Sequence, residues 1–269
     1  MKSSALLAVL ALSGTALTAD PVPLLSWNFD EGGGDYATNL GSANEANLYL
    51  VGPAGDKING FSSDAQGVSG KPGDYAFDLS SATGMGATTP NSTGPTAVVW
   101  SNSSGLASLS GLSSFTLTGW IKPETTITAA ARIVATNVIA LMAGVDDRLT
   151  IQVNGKNSPV QSEPLYRDVG SWIFFAVSYD GTRTTDNVTY YVGDPAANSL
   201  ITAGTATLEA GKVKPFAGQF LLGNNSINTP PNRPFKGLMD NIAIYGSMND
   251  ASGALPLEKI ETIRAAAIR

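Results

Sequence analysis

Short apolar runs, each about as long as a β-strand and separated by turn residues, dominate this sequence. In residues 114–121 the apolar side chains alternate with threonines, which is the period of two that turns one face of a strand toward a core. Asn154-Gly155 follows the alternating run Leu149–Val153 and is a strong hairpin signal, because both turn residues must tolerate positive φ. The pattern predicts an all-β fold.

Further strands are expected wherever a similar run lies between turn signals. They are residues 24–29, 75–79, 97–100, 132–136, 138–143, 172–179, 188–192, 220–223 and 234–245. One helix is predicted over residues 256–267, because Pro256 suits a first helical turn and Leu257, Ile260 and Ile263 form one stripe.

The N-terminal residues 1–19 are predicted to be a secretory signal peptide that is cleaved before Asp20. They contain Lys2, an apolar run over residues 5–12 and then small residues. The alternative, a membrane anchor, would need a longer apolar run. We expect residues 20–269 to form one domain, exported to the periplasm, the cell surface or the medium.

Charge and composition exclude several classes of function. The net charge of −6 argues against nucleic acid or an anionic membrane surface as a partner. Cysteine is absent, so disulfides do not stabilise the fold. Histidine is also absent, which rules out a Ser-His-Asp or Cys-His arrangement and a histidine-ligated zinc site.

Asp240 is the polar residue that most needs explanation. Strict alternation in the predicted strand over residues 234–245 places it on one face with Leu238, Ile242 and Ile244. A buried carboxylate costs several kcal/mol unless it binds a cation, accepts hydrogen bonds or sits at a rim. The sequence leaves these three alternatives open.

Four segments in order resemble the laminin-G-like (concanavalin A-like lectin/glucanase) family. They are residues 26–34, 114–123, 170–181 and 235–245, the last followed by residues 257–260. The resemblance implies a two-sheet antiparallel jelly-roll sandwich with one short C-terminal helix. One departure is the hairpin at residues 191–194, where Tyr-Val-Gly-Asp stands in place of the family's Tyr-Val-Asn-Gly.

The resemblance also implies a structural calcium ion at Asp240, with carbonyls from the end of the first strand as further ligands. Calcium takes several hard oxygen ligands in a flexible shell. Asp30 is a second candidate ligand. The alternatives are a purely hydrogen-bonded Asp240 and a solvated turn residue at Asp30.

The same architecture carries glycoside hydrolases and polysaccharide lyases, but no catalytic residue is predicted here. Hydrolases need two carboxylates that flank the glycosidic bond. No Glu-x-Asp-x-Glu run occurs, Asp146 and Asp147 are adjacent and would face opposite ways in a strand, and Glu163 stands alone before Pro164. Lyases of this fold commonly use a histidine, which is missing.

The candidate ligand-binding residues are Trp100, Asn224, Asn225 and Arg233. Trp100 precedes a polar loop, and the other three offer amide and guanidinium donors for hydroxyl groups. Trp120 either stacks on a sugar or packs in the interior, and packing is favoured because the family's tryptophan at this position is part of the fold. Trp27 and Trp172 are predicted in the core.

Two functions remain open at this point. The first is a non-catalytic module that binds carbohydrate or another extracellular polymer. The second is a structural or adhesion protein that contacts other proteins, and an enzyme of the same fold is a third alternative. The fold by itself does not separate them.

Overall fold

The computed structural model describes residues 20–86, 92–127, 129–144, 147–158, 169–227 and 233–269. The predicted signal peptide and the residues Asp146, Glu163 and Pro164 lie outside these ranges. Within them the chain forms fifteen strands, two short 3-10 turns and one α-helix. The all-β prediction is therefore confirmed. No described helix is long and apolar enough to cross a membrane.

Most of the strands follow the predicted runs, but the short strands Tyr36–Ala37, Leu48–Val51, Lys156–Asn157 and Ile201–Ala206 fall outside them. In chain order they are β1 (Leu25–Trp27), β2 (Tyr36–Ala37), β3 (Leu48–Val51), β4 (Phe77–Asp78), β5 (Thr96–Val99), β6 (Ser114–Pro123), β7 (Ala131–Ala135), β8 (Ile139–Ala143), β9 (Leu149–Val153), β10 (Lys156–Asn157), β11 (Ile173–Asp180), β12 (Val188–Gly193), β13 (Ile201–Ala206), β14 (Phe220–Leu222) and β15 (Gly237–Ser247). The hairpin between β9 and β10 turns at Asn154 and Gly155, whose φ angles are 54° and 80°.

Two antiparallel sheets are stacked. The seven-stranded sheet has the order β1-β15-β6-β11-β12-β13, with β4 also paired to β15. The eight-stranded sheet has the order β10-β9-β8-β7-β14-β5-β3-β2. Strands adjacent in space are often distant in sequence, as a jelly-roll sandwich requires.

The main core fills the space between the sheets. Trp27 of β1 packs against Phe220 of β14, with ring centroids 5.3 Å apart, and its indole N–H donates to the carbonyl of Ala46 at 3.1 Å. The prediction that Trp27 lies in the core is confirmed.

A second, smaller cluster lies outside the seven-stranded sheet, where helix α1 (Leu257–Ala267) covers it. Trp120 and Phe174 meet there edge to face at 5.2 Å, together with Ile260 of the helix. Trp120 is therefore buried, as favoured, but in this cluster rather than between the sheets. The predicted C-terminal helix is confirmed, and Ile260 and Ile263 of its stripe pack on this cluster, whereas Leu257 at the first helical position is 40% exposed. Trp172, predicted in the core, is only partly buried.

β15 contains a bulge between Asp240 and Ala243. At its centre Asn241 adopts φ 49°, a left-handed conformation that asparagine tolerates better than most residues. The extra residue breaks the alternation of two, so that Met239 and Ile242, an odd number of positions apart, both join the main core.

The bulge changes the predicted position of Asp240. Ile242 and Ile244 face the main core, whereas Asp240 is paired with Trp120, which belongs to the outer cluster. The prediction that Asp240 shares the face of these two isoleucines is wrong, because a period of two does not continue through a bulge.

Candidate functional site

The outer face of the eight-stranded sheet carries one row of cross-strand pairs that spans all eight strands. Each residue of the row is the register partner of the next: Tyr36, Tyr49, Val98, Leu221, Ala135, Ala140, Gln152 and Asn157. Two tyrosines lie at one end of the row and two amide side chains at the other, and the residues between them are apolar. Val98, Leu221 and Ala135 form an apolar cluster separate from the main core, as expected for an outward face.

Three adjoining cavities follow this face and together form what we call the sheet groove. The first has a volume of about 370 Å³ and contains Tyr49 and Trp100. The second, about 430 Å³, shares Trp100 with the first. The third, about 350 Å³, shares Leu221 and Asn225 with the second and reaches Arg132. An open groove of this length suits an extended molecule better than a compact one.

Two aromatic side chains, Tyr49 and Trp100, line the first cavity of the sheet groove. Tyr36 lies next to Tyr49, with ring centroids 5.9 Å apart. The ammonium group of Lys57 lies 4.8 Å from the Tyr49 ring centroid and 2.7 Å from the Asp35 carboxylate. Trp100 is partly exposed. Its position between two cavities lets a ligand in either one contact the indole.

The loop after β14 separates the other three candidate residues. Asn225 lines the second and third cavities of the sheet groove. Asn224 is fully buried, and its side-chain oxygen accepts the backbone N–H groups of Asn225 and Arg233, both at 2.9 Å. Asn224 thus shapes the loop rather than the surface, because a fully buried side chain cannot reach a ligand in the groove.

Arg132 lines the far end of the sheet groove, and Arg233, which is not among the residues that line the three cavities, is joined to it through the backbone. The backbone N–H of Arg132 donates to the carbonyl of Arg233 at 3.0 Å. Burial, with repulsion from the charge of Arg233, lowers the pKa of Arg132 to about 10. The ion pairs among the described residues involve other side chains. Neither guanidinium is therefore neutralised by a described carboxylate.

Asp240 lies on the opposite sheet and is fully buried. One carboxylate oxygen, Oδ2, accepts the backbone N–H of Val68 at 2.9 Å, and the other, Oδ1, has no hydrogen-bond partner among the described residues. Burial raises the pKa of Asp240 well above its ordinary value, and the charges of Asp74 and Asp30 raise it further, against the lowering effect of the Val68 N–H. The predicted burial of this acid is confirmed.

The loop before β4 brings three acids near one another. Asp30 accepts the backbone N–H of Tyr75 at 3.4 Å, and burial raises the pKa of Asp30. Asp74 accepts the backbone N–H and the hydroxyl of Ser69, both at 2.6 Å. The first-strand turn, this loop and β15 therefore meet around Asp240, although they are far apart in sequence.

This donor set fits a hard cation in part. A buried carboxylate oxygen without a partner, beside two further acids, is the chemistry that calcium uses. Among the described residues, however, no three acidic side chains are close enough to hold a metal by themselves. Backbone carbonyls and water would have to complete a coordination shell.

Sequence reasoning missed most of the sheet groove. Tyr49, Arg132 and Gln152 belong to strands that are widely separated in sequence, and only strand pairing places them on one face. The available signal was that each of these residues points outward in its own strand. Surface residues without any function point outward as well, so this signal did not identify the groove.

The family of the chain follows from this fold and a sequence match. A family model described as the concanavalin A-like lectin/glucanases superfamily matches residues 93–251. The chain belongs to this superfamily, which confirms the predicted resemblance and the jelly-roll sandwich. No curated protein matches the sequence.

Solved structures with the same fold include binding domains and parts of enzymes. Domain 4 of an extracellular GH43 arabinanase from Geobacillus stearothermophilus, in complex with arabinotriose, has a TM-score of 0.57 and 16% identity, over 91% of this chain and 100% of that one. A botulinum neurotoxin type C structure, whose description states that cell entry depends on interaction with two ganglioside molecules, has a TM-score of 0.55 and 12% identity. The match covers 91% of this chain and 51% of that one.

A third similar structure is a Trypanosoma rangeli sialidase in complex with sialic acid. Its TM-score is 0.52 at 10% identity, and the match covers 90% of this chain but 32% of the sialidase. This chain therefore spans about half of the neurotoxin structure and a third of the sialidase. At these identities the likeness shows the fold alone.

Proposed function

We propose that the chain is an exported, non-catalytic carbohydrate-binding module and that the sheet groove is its binding site. The observation that carries the proposal is the run of three adjoining cavities along one sheet face, with the partly exposed Trp100 between the first two. The predicted signal peptide supports export.

The groove has the chemistry that sugar recognition requires. An indole presents a large apolar face that can stack on the C–H face of a sugar ring, while amides satisfy hydroxyl groups. Here Trp100 supplies the face, and Asn225, Gln219 and Asn102 supply amides along the cavities. The arabinotriose and sialic acid in two structurally similar proteins support a saccharide as the ligand class.

The acids present in the groove argue for binding without catalysis. Glycoside hydrolysis needs two carboxylates on either side of the bond. Glu45 is the one acid among the described residues that line the three cavities, and its carboxylate accepts the hydroxyl of Ser104 at 2.8 Å. No opposing acid lies across from it within the described lining.

A panel of plant and bacterial polysaccharides, tested by affinity electrophoresis and then by calorimetry with matching oligosaccharides, tests this function. We expect at least one polymer to bind, and Trp100→Ala to weaken binding about tenfold or more, since a tryptophan covered by its ligand carries a large share of the binding energy. Trp100→Phe should retain part of the affinity. Trp172→Ala, on the other sheet, is the control and should bind as the wild type does.

Two results would overturn this function. One is the absence of binding to any polymer in the panel, which would favour the adhesion alternative. The other is new reducing ends or unsaturated products after incubation, which would show catalysis.

We also propose that calcium binds beside Asp240, with Asp30 as a second ligand. The buried Oδ1 of Asp240, which has no hydrogen-bond partner among the described residues, supports this ion, because a divalent cation would neutralise the acids that meet there. Its role would be structural, since the site lies on the sheet opposite the groove.

A further inference from the structure

Positive charge is concentrated at the Arg132 end of the sheet groove, in a chain whose net charge is −6. Arg132 lines the third cavity, and its Nη1 donates to the carbonyl of Ala130 at 3.3 Å. A single hydrogen bond to a neutral carbonyl leaves the other guanidinium donors available, since arginine carries five.

The two guanidinium groups are not explained by the fold. Like charges in partly buried positions repel each other, and the cost is normally offset by a carboxylate. A backbone hydrogen bond joins Arg132 to Arg233, the charge of Arg233 contributes to the lowered pKa of Arg132, and no described acid forms an ion pair with either of them. An anion supplied from outside would satisfy both.

We infer that the Arg132 end of the sheet groove binds an anionic sugar unit, one that carries a carboxylate or an ester sulfate, within a longer saccharide. This inference rests on the proposed function and names its ligand class. Guanidinium groups recognise carboxylate and sulfate-like oxygens through paired, charge-assisted hydrogen bonds.

The topology also sets a minimum length for the ligand. β5 and β7 are both antiparallel to β14 and therefore run in the same direction. Trp100 comes after the row residue Val98 in sequence, whereas Arg132 comes before the row residue Ala135. The two side chains therefore lie on opposite sides of the cross-strand row. Two strand spacings separate these strands, about 10 Å before the offset along the strands is added. The sugar stacked on Trp100 and the anionic unit are therefore different units of one oligosaccharide.

The experiment compares ligands that differ only in charge. Short oligogalacturonides are measured against their methyl esters, and chondroitin sulfate oligosaccharides against the desulfated forms, by calorimetry at constant calcium concentration. We expect the wild type to bind one of the anionic forms about tenfold more tightly than its neutral counterpart, and added NaCl to reduce this preference. The pair that shows the preference identifies the anion.

Variants connect the preference to the arginines. Arg132→Gln and Arg233→Gln should each reduce the ratio of anionic to neutral affinity several-fold, whereas Arg132→Lys should keep part of it. Arg183→Gln, at an exposed turn, is the control and should keep the full ratio. Thermal melts confirm folding, and Arg233→Gln remains informative if Arg132→Gln unfolds.

Equal affinity of the wild type for the charged and neutral members of both pairs overturns the inference. In that case binding of neutral polymers that depends on Trp100 still supports the proposed function. If the wild type binds no glycan at all, both the inference and the proposed function are rejected. If Arg132→Gln and Arg233→Gln both keep the wild-type ratio of anionic to neutral affinity, the arginines do not bind the anion and the inference is wrong.

Discussion

At the scale of single residues, Asp240 shows how burial changes an ordinary acid. Its pKa lies well above the ordinary value of 3.8, mainly because burial disfavours the charged form. The folded protein then binds more protons than the unfolded chain wherever the pH lies between the two pKa values. Without a bound cation, stability therefore falls as the pH rises above about 4, until the folded-state pKa is passed.

Asp240→Asn should remove this pH dependence. An amide keeps an acceptor for the Val68 N–H but carries no charge, so the calcium-free variant should be more stable than the calcium-free wild type at neutral pH. We expect a gain of about 1 kcal/mol or more, roughly 2–4 °C in Tm for a domain of this size. Melts in chelator from pH 4 to 8 measure it. A variant that is less stable than the wild type across this range would contradict the assigned cause.

At the scale of elements, one bulged residue decides what β15 presents to each side. With the left-handed Asn241, Asp240 faces the loop around Val68 while Ile242 and Ile244 remain in the main core. A regular strand would place either the acid in the core or the isoleucines outside it.

Substitutions at Asn241 test the bulge. Asn241→Ala should destabilise the protein by about 1 kcal/mol and Asn241→Val by more, because alanine and valine disfavour a positive φ. Asn241→Gly should be close to neutral, because glycine adopts a positive φ without steric cost. Urea denaturation gives the free energies of unfolding. Equal stability of the glycine and valine variants would show that the bulge is not needed.

Gly119, at the centre of β6, leaves room for side chains of the two neighbouring strands of the same sheet, β15 and β11. A Cβ atom at Gly119 would lie 2.3 Å from Cδ1 of Ile242 and 2.9 Å from Cζ of Phe175, inside the main core. Gly119→Ala should therefore cost about 1–3 kcal/mol through overpacking. Gly33→Ala is the matched control, since no atom lies within 4 Å of its added Cβ. Comparable losses in the two variants by denaturant unfolding would contradict this account.

At the scale of the whole molecule, the acids around Asp240 connect distant parts of the chain. The hydrogen bond from Val68 to Asp240 joins residues 172 positions apart, and Asp30 contacts the same loop through Tyr75. A cation there would bind the folded chain only, because the unfolded chain does not bring these groups together.

Saturating calcium should therefore raise Tm relative to chelator. At a free concentration of about 100 times Kd the stabilisation is about 2.7 kcal/mol, which corresponds to roughly 5–10 °C. The comparison is made by calorimetry on the wild type and on Asp240→Asn, whose shift should be much smaller. Magnesium at the same concentration is the ionic control. An unchanged wild-type melt would reject the calcium proposal.

The fold was largely predictable from local patterns, and the candidate site was predictable only in part. Trp100 and Asn225 were identified because an aromatic residue and an amide beside polar loops are visible in the sequence. Asn224 has the same chemistry, yet it is fully buried. Which of two neighbouring amides reaches the surface depends on the path of the loop, and no local pattern encodes that path.

The sequence by itself determined most of the strands, the hairpin at Asn154-Gly155 and the resemblance to the family, because alternation and turn chemistry act over a few residues. Only the tertiary structure decided which face Asp240 occupies and which residues form the sheet groove. The register that aligns Tyr49, Leu221 and Gln152 in one row pairs residues as far apart in sequence as Val98 and Leu221, which are 123 positions apart. Contacts at such separations are selected by the packing of the whole core, which no single segment specifies.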